Sequence, residues 1–482
     1  MGSSEQTAMS RIQALLDENS FVEIGAKVTK RNTDFNLEEK EVSADGVITG
    51  YGLIDGNMVY VYSQEASALG GAIGEMHAKK IVKIYNLAMK IGVPVIGLVD
   101  CAGLRLQEAT DALDAFGQLY TAKVMASGVI PQITVVFGNC GGGVAVANGL
   151  SDFTFMEEEK AKVFVSSPNV LDGNYVEKLD TASAIFQAEN GNVDFVEKEE
   201  DIYTQVRQLV TILPCNNEDN DSFEECTDDL NRECVAFSGV VKDPRVALVD
   251  MSDNGFFMEV KKQYAKEMVT GFIRLNGMTV GVVANASALL DEEGKEVETY
   301  DKALTTAGCE KATHFIQVCD SFNIPVMSLT DVKGYKGTVE EECTIGRAVA
   351  KLTYAFANAT VPKVNLITGE AFGSAYITMN SAHIGADLVC ALPDAKIGMM
   401  DAEQAVKIMY AEEINSATDV QTKISEKAAI YETMQGSVDS AASRGYVDNI
   451  IDGSAVRKQM IYAFEMLFTK RDNRPGKKHG TV

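Results

Sequence analysis

Gly138-Asn-Cys-Gly-Gly-Gly-Val144 has the residue types of a loop that can receive an oxyanion. It follows an apolar, β-branched run and precedes a run of small apolar residues, so its N–H groups converge at a helix N-terminus. Consecutive glycines let the backbone approach a ligand closely, and the helix dipole favours negative charge there. Such a loop suits chemistry in which a thioester loses an α-proton or a carboxylate and its carbonyl oxygen becomes negative. Each preorganised N–H donor in a comparable oxyanion hole is worth roughly 2.7–4 kcal/mol. No side-chain base is needed if the base arrives with a cofactor.

Glycine runs between a strand and a helix also serve tight packing alone. A functional role is favoured here because the loop occurs twice: Gly369-Glu-Ala-Phe-Gly-Ser-Ala-Tyr376 follows another proline-initiated apolar run. Other candidates carry less. His77, Lys79 and Lys80 open a predicted helix and could meet the anionic groups of coenzyme A, or form a solvated face. Arg105 follows Asp100-Cys-Ala-Gly at the C-terminal edge of a predicted parallel strand, where ligand crevices of α/β sheets form. Ala88-Met-Lys-Ile91 has the residues of a biotin-attachment tetrapeptide, but it ends a predicted helix, where Lys90 complements the dipole. The four histidines have no serine or cysteine neighbour that suggests a triad.

The elements that position these loops recur. Pro94/Pro325, Asp100/Asp331, Gly103/Gly334, Pro131/Pro362 and Gly138/Gly369 are each 231 positions apart, so the chain is a duplication. In the first copy we expect strands at 58–63, 93–99 and 132–137, and helices at 77–90, 111–127 and 142–150. Strands alternating with helices predict an α/β fold with a mostly parallel sheet in each copy. The Asn/Asp/Glu-rich stretch 215–233 is the predicted boundary, giving domains 1–235 and 236–482. The net charge of −26 argues against nucleic acid as a partner. Nine scattered cysteines without a CxxC pair predict no zinc site and reduced, cytoplasmic thiols, and no apolar run reaches the ~18 residues of a membrane span. Docking on a membrane complex remains compatible with that.

Several segments resemble the acyl-CoA carboxyltransferase family. They include His77-Ala-Lys-Lys-Ile81, the stretch 96–108, Ser127-Gly-Val-Ile-Pro-Gln-Ile133, Leu150-Ser-Asp-Phe-Thr-Phe-Met156, Ala441-Ala-Ser-Arg-Gly-Tyr-Val-Asp448 and Arg474-Pro-Gly-Lys-Lys-His-Gly480. The family includes β subunits of propionyl- and acetyl-CoA carboxylases and α subunits of glutaconyl- and methylmalonyl-CoA decarboxylases. The resemblance implies two tandem crotonase-like domains, the first binding an acyl-CoA and the second biotin borne on a separate carrier protein. It also implies a biotin carboxylase or membrane decarboxylase subunit as partner, and a dimer-based homo-oligomer, up to a hexamer. By the same implication Gly142 and Gly143 hold the thioester oxygen, with Gly141 beside them, and Ser374 and Ala375 hold the biotin carbonyl. Gly334, Tyr335, Arg347, Gly373, Tyr376 and Ile377 then surround biotin.

The chain departs from the family pattern at defined places. Cys101-Ala-Gly-Leu-Arg105 stands for Ser-Gly-Gly-Ala-Arg, and Val332-Lys-Gly-Tyr-Lys-Gly337 for Val-Pro-Gly-Phe-Leu-Pro-Gly. Cys343-Thr-Ile-Gly-Arg-Ala-Val-Ala-Lys351 stands for Gly-Gly-Ile-Ile-Arg-His-Gly-Ala-Lys. Gly-Ser-Ala-Tyr at 373–376 replaces Gly-Gly-Ala-Tyr, an acidic stretch fills 290–306, and the Leu-Gly-Gly-Ala…His segment is unrecognisable near 179–188. The expected activity is carboxyl transfer between an acyl-CoA and biotin. The alternatives are a biotin-independent acyl-CoA decarboxylase or hydrolase, and a non-catalytic coenzyme-A-binding subunit.

Overall fold

The computed structural model describes residues 7–31, 43–219 and 224–476. Residues 1–6 of the polar start and 477–480 of the closing motif lie outside these. The chain forms two compact units that divide at 222/223. The sequence reading places the division at 235/236, and the difference has a packing cause. Asn216 and Asn217 donate to the Gly92 and Val129 carbonyls (2.9 and 3.0 Å) of the first unit. Arg232, by contrast, donates to the Asp250 carbonyl at 2.6 Å and the buried Arg457 to the Asp229 carbonyl at 3.2 Å, so the stretch is split and its later part belongs to the second unit.

In the first unit a helix, Ala8–Leu15, and a short edge strand, Val22–Glu23, precede an antiparallel hairpin, β1 (Val47–Ile54) and β2 (Asn57–Gln64). Its turn residues Asp55 and Gly56 both have positive φ (48° and 82°), the type I′ geometry that Asp-Gly favours. Helix α1 (Glu75–Ile91), β3 (Val95–Cys101), α2 (Ala109–Ala126), β4 (Gln132–Gly141), α3 (Gly143–Asn148) and β5 (Phe153–Glu157) follow. The strands β2, β3, β4 and β5 are parallel neighbours in that order. The β-branched run is buried on both faces of the sheet apart from the half-buried Asp100. Ile81, Ile84, Tyr85 and Ala88 of α1 are buried, as their spacing predicts.

The second unit repeats this plan with β6 (Met268–Leu275), β7 (Met278–Asn285), α4 (Thr306–Ser321), β8 (Val326–Val332), α5 (Ile345–Asn358), β9 (Lys363–Phe372), α6 (Gly373–Thr378) and β10 (Leu388–Ala391). Hairpin β6–β7 turns at Asn276 and Gly277, again both at positive φ, and β7, β8, β9 and β10 are parallel neighbours. The 231-residue offset holds at the level of strand register. Val95 opposes Gln132 and Val326 opposes Lys363, and both ladders slip at the same place, after Val99 and after Thr330. The units differ just before this stretch. Tyr60 opposes Val95 and Gly281 opposes Val326, so 45 residues separate that pair in the second unit against 35 in the first. The surplus lies where the acidic stretch folds into a small hairpin, Ala288–Leu290 with Glu296–Thr299.

This register explains the repeated identities. The carbonyls of Pro94 and Pro325 accept from Tyr60 and Gly281 N–H (2.9 and 2.8 Å), which starts each parallel pairing. Asp100 and Asp331 carboxylates accept the backbone N–H groups of Asn139 and Glu370 (3.2 and 2.8 Å) at the slip. Gly138 and Gly369 are glycine because a Cβ there would run into those same carboxylates. Gly138→Ala or Gly369→Ala is therefore expected to cost about 1–3 kcal/mol through overpacking. Urea denaturation checks this; an unchanged midpoint in both variants would contradict it.

Candidate active site

Strand β4 does not stop where its apolar run ends. Asn139, Cys140 and Gly141 pair with Lys162–Phe164, and Cys140 also faces Cys101. What reads as a glycine-rich turn is thus strand as far as Gly141, followed by one sharp reversal. That reversal is Gly142, at φ 62° and ψ −127°, a region side-chain-bearing residues rarely adopt. Nothing lies within 4 Å of where its Cβ would be, so backbone conformation and not space demands the glycine. Its N–H donates to the Phe164 carbonyl at 2.8 Å. Gly142 is therefore the bend that aims the next donors and not one of the oxyanion donors, which corrects the expectation drawn for it. Gly143 and Val144 head α3, where a helix leaves its first N–H groups without an intrahelical acceptor. A Cβ on Gly143 would meet Phe116 and Tyr120 Oη, both at 2.8 Å, and Tyr120 donates to the Gly143 carbonyl at 2.7 Å. A Cβ on Gly141 would meet the Phe164 ring at 2.9 Å. The facing wall is a second small-residue pair of loops, with Ala102 N–H donating to Gly70 (3.0 Å) and Ile73 N–H to Gly103 (2.9 Å).

Three of the four expected coenzyme A cations do not reach a ligand surface. Arg105 is buried and donates through Nη1 to Asp45 (2.6 Å) and Glu108 (2.7 Å), and through Nη2 to the Ala72 carbonyl (2.8 Å). Lys80 is buried and donates to the carbonyls of Ala44, at 3.0 Å, and Val47. His77 is wholly buried, its N–H held by Asp45 (2.8 Å), one ring nitrogen on the Asp45 carbonyl (3.0 Å) and the other on Gln64 (3.1 Å). These residues join the loops that flank the glycine turn; they are scaffold. Lys79 is at the surface, paired with Glu75 at 2.5 Å. Asp45, Glu108 and Gln64 were not singled out from the sequence, since no motif marks them.

Burial, and then the nearby Arg105 charge, lowers the His77 pKa from 6.5 to about 3. The unfolded chain binds this proton at 6.5 and the folded chain does not until about 3. Stability is thus fully present above pH 6.5 and is lost as pH falls toward 3, by at most about 1.4 kcal/mol per pH unit. Wild-type Tm is expected to drop through this window more steeply than that of His77→Gln. Parallel profiles would exclude His77 as the source.

In the second unit Gly373, at φ 63°, heads α6 and is the register counterpart of Gly142. Gly373, Ser374, Tyr376, Ile377, His383 and Tyr446 line a cavity of about 610 Å³. Ala375, between the lining residues Ser374 and Tyr376, is buried. The His383 ring lies 5.9 Å from Tyr376 and 4.9 Å from Tyr446, forming an aromatic wall. Gly334 and Tyr335 form a short ladder with Ala303 and Leu304, and Tyr335 Oη donates to Ser374 Oγ at 2.8 Å. Arg347 stands exposed on α5 and does not line the cavity. By register, Ser374 and Ala375 correspond to Gly143 and Val144, so the two helix heads present equivalent N–H pairs. The chemistry such pairs perform is stabilisation of an oxygen that gains negative charge.

Comparison with known proteins agrees with this geometry. The family described as carboxyl transferase domain matches residues 2–482. The chain is 37% identical to methylmalonyl-CoA decarboxylase subunit alpha of Propionigenium modestum, covering 100% of this chain and 93% of that protein. It is 39% identical to a putative propionyl-CoA carboxylase beta chain of Bacillus subtilis, covering 99% and 93%. Among solved structures, a transcarboxylase 12S hexamer with methylmalonyl-coenzyme A and methylmalonic acid bound superposes with a TM-score of 0.92 at 36% identity, over 98% of this chain and 92% of that one. With its duplicated α/β units and paired helix heads, the chain belongs to the carboxyl transferase family.

Proposed function

We propose that the protein moves a carboxyl group between an acyl-CoA of the malonyl- or methylmalonyl-CoA type and biotin borne on a separate carrier protein. The observation that supports this most is the pair of register-matched helix heads, Gly143–Val144 and Ser374–Ala375. One carbonyl oxygen gains charge on the thioester and one on the cofactor, and a duplicated fold offers a donor pair for each. The first unit, within 1–235, takes the acyl-CoA: Gly142 aims the donors and Phe164, Phe116 and Tyr120 hold the turn rigid. The second, residues 223–482, takes biotin. Its cavity of about 610 Å³ lies within the ~300–1,000 Å³ usual for small ligands, and it joins an aromatic wall to hydroxyl groups, which suits a flat ureido ring. Biotin, when bound, carries the carboxyl group and supplies the base; the protein residues position, donate and exclude water.

A biotin carboxylase or a membrane decarboxylase subunit is the expected partner, with a cytoplasmic, dimer-based assembly up to a hexamer, the form of the 12S relative. Among the described residues no helix is long and apolar enough to cross a membrane. The test uses purified protein with malonyl- or methylmalonyl-CoA and free biotin, following loss of the thioester carboxyl group. Dependence on biotin is expected. Equal turnover without biotin would select the biotin-independent reading, and binding without turnover the non-catalytic one.

A further inference from the structure

Three segments of the second unit meet at one point: residues 301–304, the 332–337 loop and the head of α6. Residues 301–304 clasp the 332–337 loop. Lys333 N–H donates to the Lys302 carbonyl (2.8 Å), Lys336 N–H to the Leu304 carbonyl (2.9 Å), and Lys336 pairs with Asp301. Lys302 is itself anchored on Asp331 (3.0 Å) and Glu370 (3.1 Å), beside the slip in β8–β9. This clasp holds Tyr335 so that its phenol donates to Ser374 Oγ at 2.8 Å.

We propose that Ser374 is a catalytic residue whose hydroxyl is an additional donor to the urea or carbamate oxygen in this cavity, and that Tyr335 is the positioning residue that fixes and polarises it. The inference rests on the carboxyl-transfer reading of the same cavity. Because the phenol donates, the serine proton is left for another acceptor; among the described residues none is recorded, and Ser374 lines the cavity. A hydroxyl that accepts a hydrogen bond is a better donor for it. The device belongs to the second site alone. At the register counterpart, Gly143, any side chain would meet Phe116 and Tyr120 at 2.8 Å.

The test compares wild type with Ser374→Ala, Ser374→Gly, Tyr335→Phe and the double variant Tyr335→Phe/Ser374→Ala. Two readouts are taken: calorimetric Kd for free biotin without acyl-CoA, and kcat for biotin-dependent loss of carboxyl from methylmalonyl-CoA. Loss of a hydrogen bond to a charged group predicts a kcat about 10- to 100-fold lower for both serine variants, and a Kd about 3- to 10-fold higher. Tyr335→Phe is expected to fall between, with the double variant no worse than Ser374→Ala, because the tyrosine acts through the serine. Ser374→Ala within about 2-fold of wild type in both readouts overturns the proposal, as does multiplication of the two single effects. A wild-type protein without biotin-dependent turnover overturns the function reading itself, and this inference with it.

Discussion

Gly142→Val is expected to lower turnover by about 10²-fold or more while the protein stays folded. The residue sits at φ 62° and ψ −127°, and valine reaches that region only at a cost of about 1–3 kcal/mol. There is open space around the missing Cβ, so the variant will not be expelled by a clash. It relaxes by rotating the backbone instead. The ψ of Gly142 sets the direction of the Gly143 N–H, so this relaxation turns the first donor away from the oxygen it should meet. Removing one oxyanion donor costs about 10²–10³ in kcat. The measurement is kcat for carboxyl transfer, with acyl-CoA binding and Tm recorded on the same preparation. Loss of kcat with a modest change in Tm is expected. Near-normal turnover would show that the turn only packs.

The same contrast separates what was legible in the sequence from what was not. The β-branched strands are local patterns and the 231-residue repeat a direct self-comparison, and both hold in the structure, whereas the glycine loop continues as strand to Gly141 before it turns. The hairpins are equally legible, since Asp55-Gly56 and Asn276-Gly277 are type I′ signals, yet of their four strands the sequence reading includes only 58–63. In α1 the helical period itself carried the missing information. His77 and Lys80 lie on the stripe of Ile81, Ile84 and Ala88, whereas Lys79 lies off it. Charge suggested a ligand face; periodicity, weighed first, places His77 and Lys80 inside. Extending the glycine loop as strand to Gly141 needs its partner Lys162–Phe164, some 20 residues on, and no local rule supplies that pairing. Likewise, Tyr335 and Ser374 were each visible as departures, but only the fold brings their hydroxyls together.

Arg105→Met is expected to destabilise the first unit by about 3–5 kcal/mol. The side chain is 1% exposed and its Nη1 bridges Asp45 and Glu108, which are themselves buried. Methionine matches the length but removes the charge, leaving two carboxylates buried without a partner; breaking a buried pair in this way costs that much. Burial already raises the Asp45 pKa, and Arg105 is the main opposing influence. Lysine should rescue poorly. One guanidinium fork reaches Asp45, Glu108 and the Ala72 carbonyl together, and a single ammonium lacks that geometry. Arg105→Met combined with Asp45→Asn and Glu108→Gln removes the stranded charges and should recover much of the loss. Urea denaturation of the single and triple variants measures this. The experiment also separates the two roles considered for Arg105. A coenzyme A ligand would, on substitution, raise KM for the acyl-CoA at unchanged stability. A scaffold residue lowers stability first, because the loops that flank Gly141 are held through Ala72 and Asp45. An unchanged urea midpoint with a raised KM would return Arg105 to the ligand surface and overturn the buried arrangement described here.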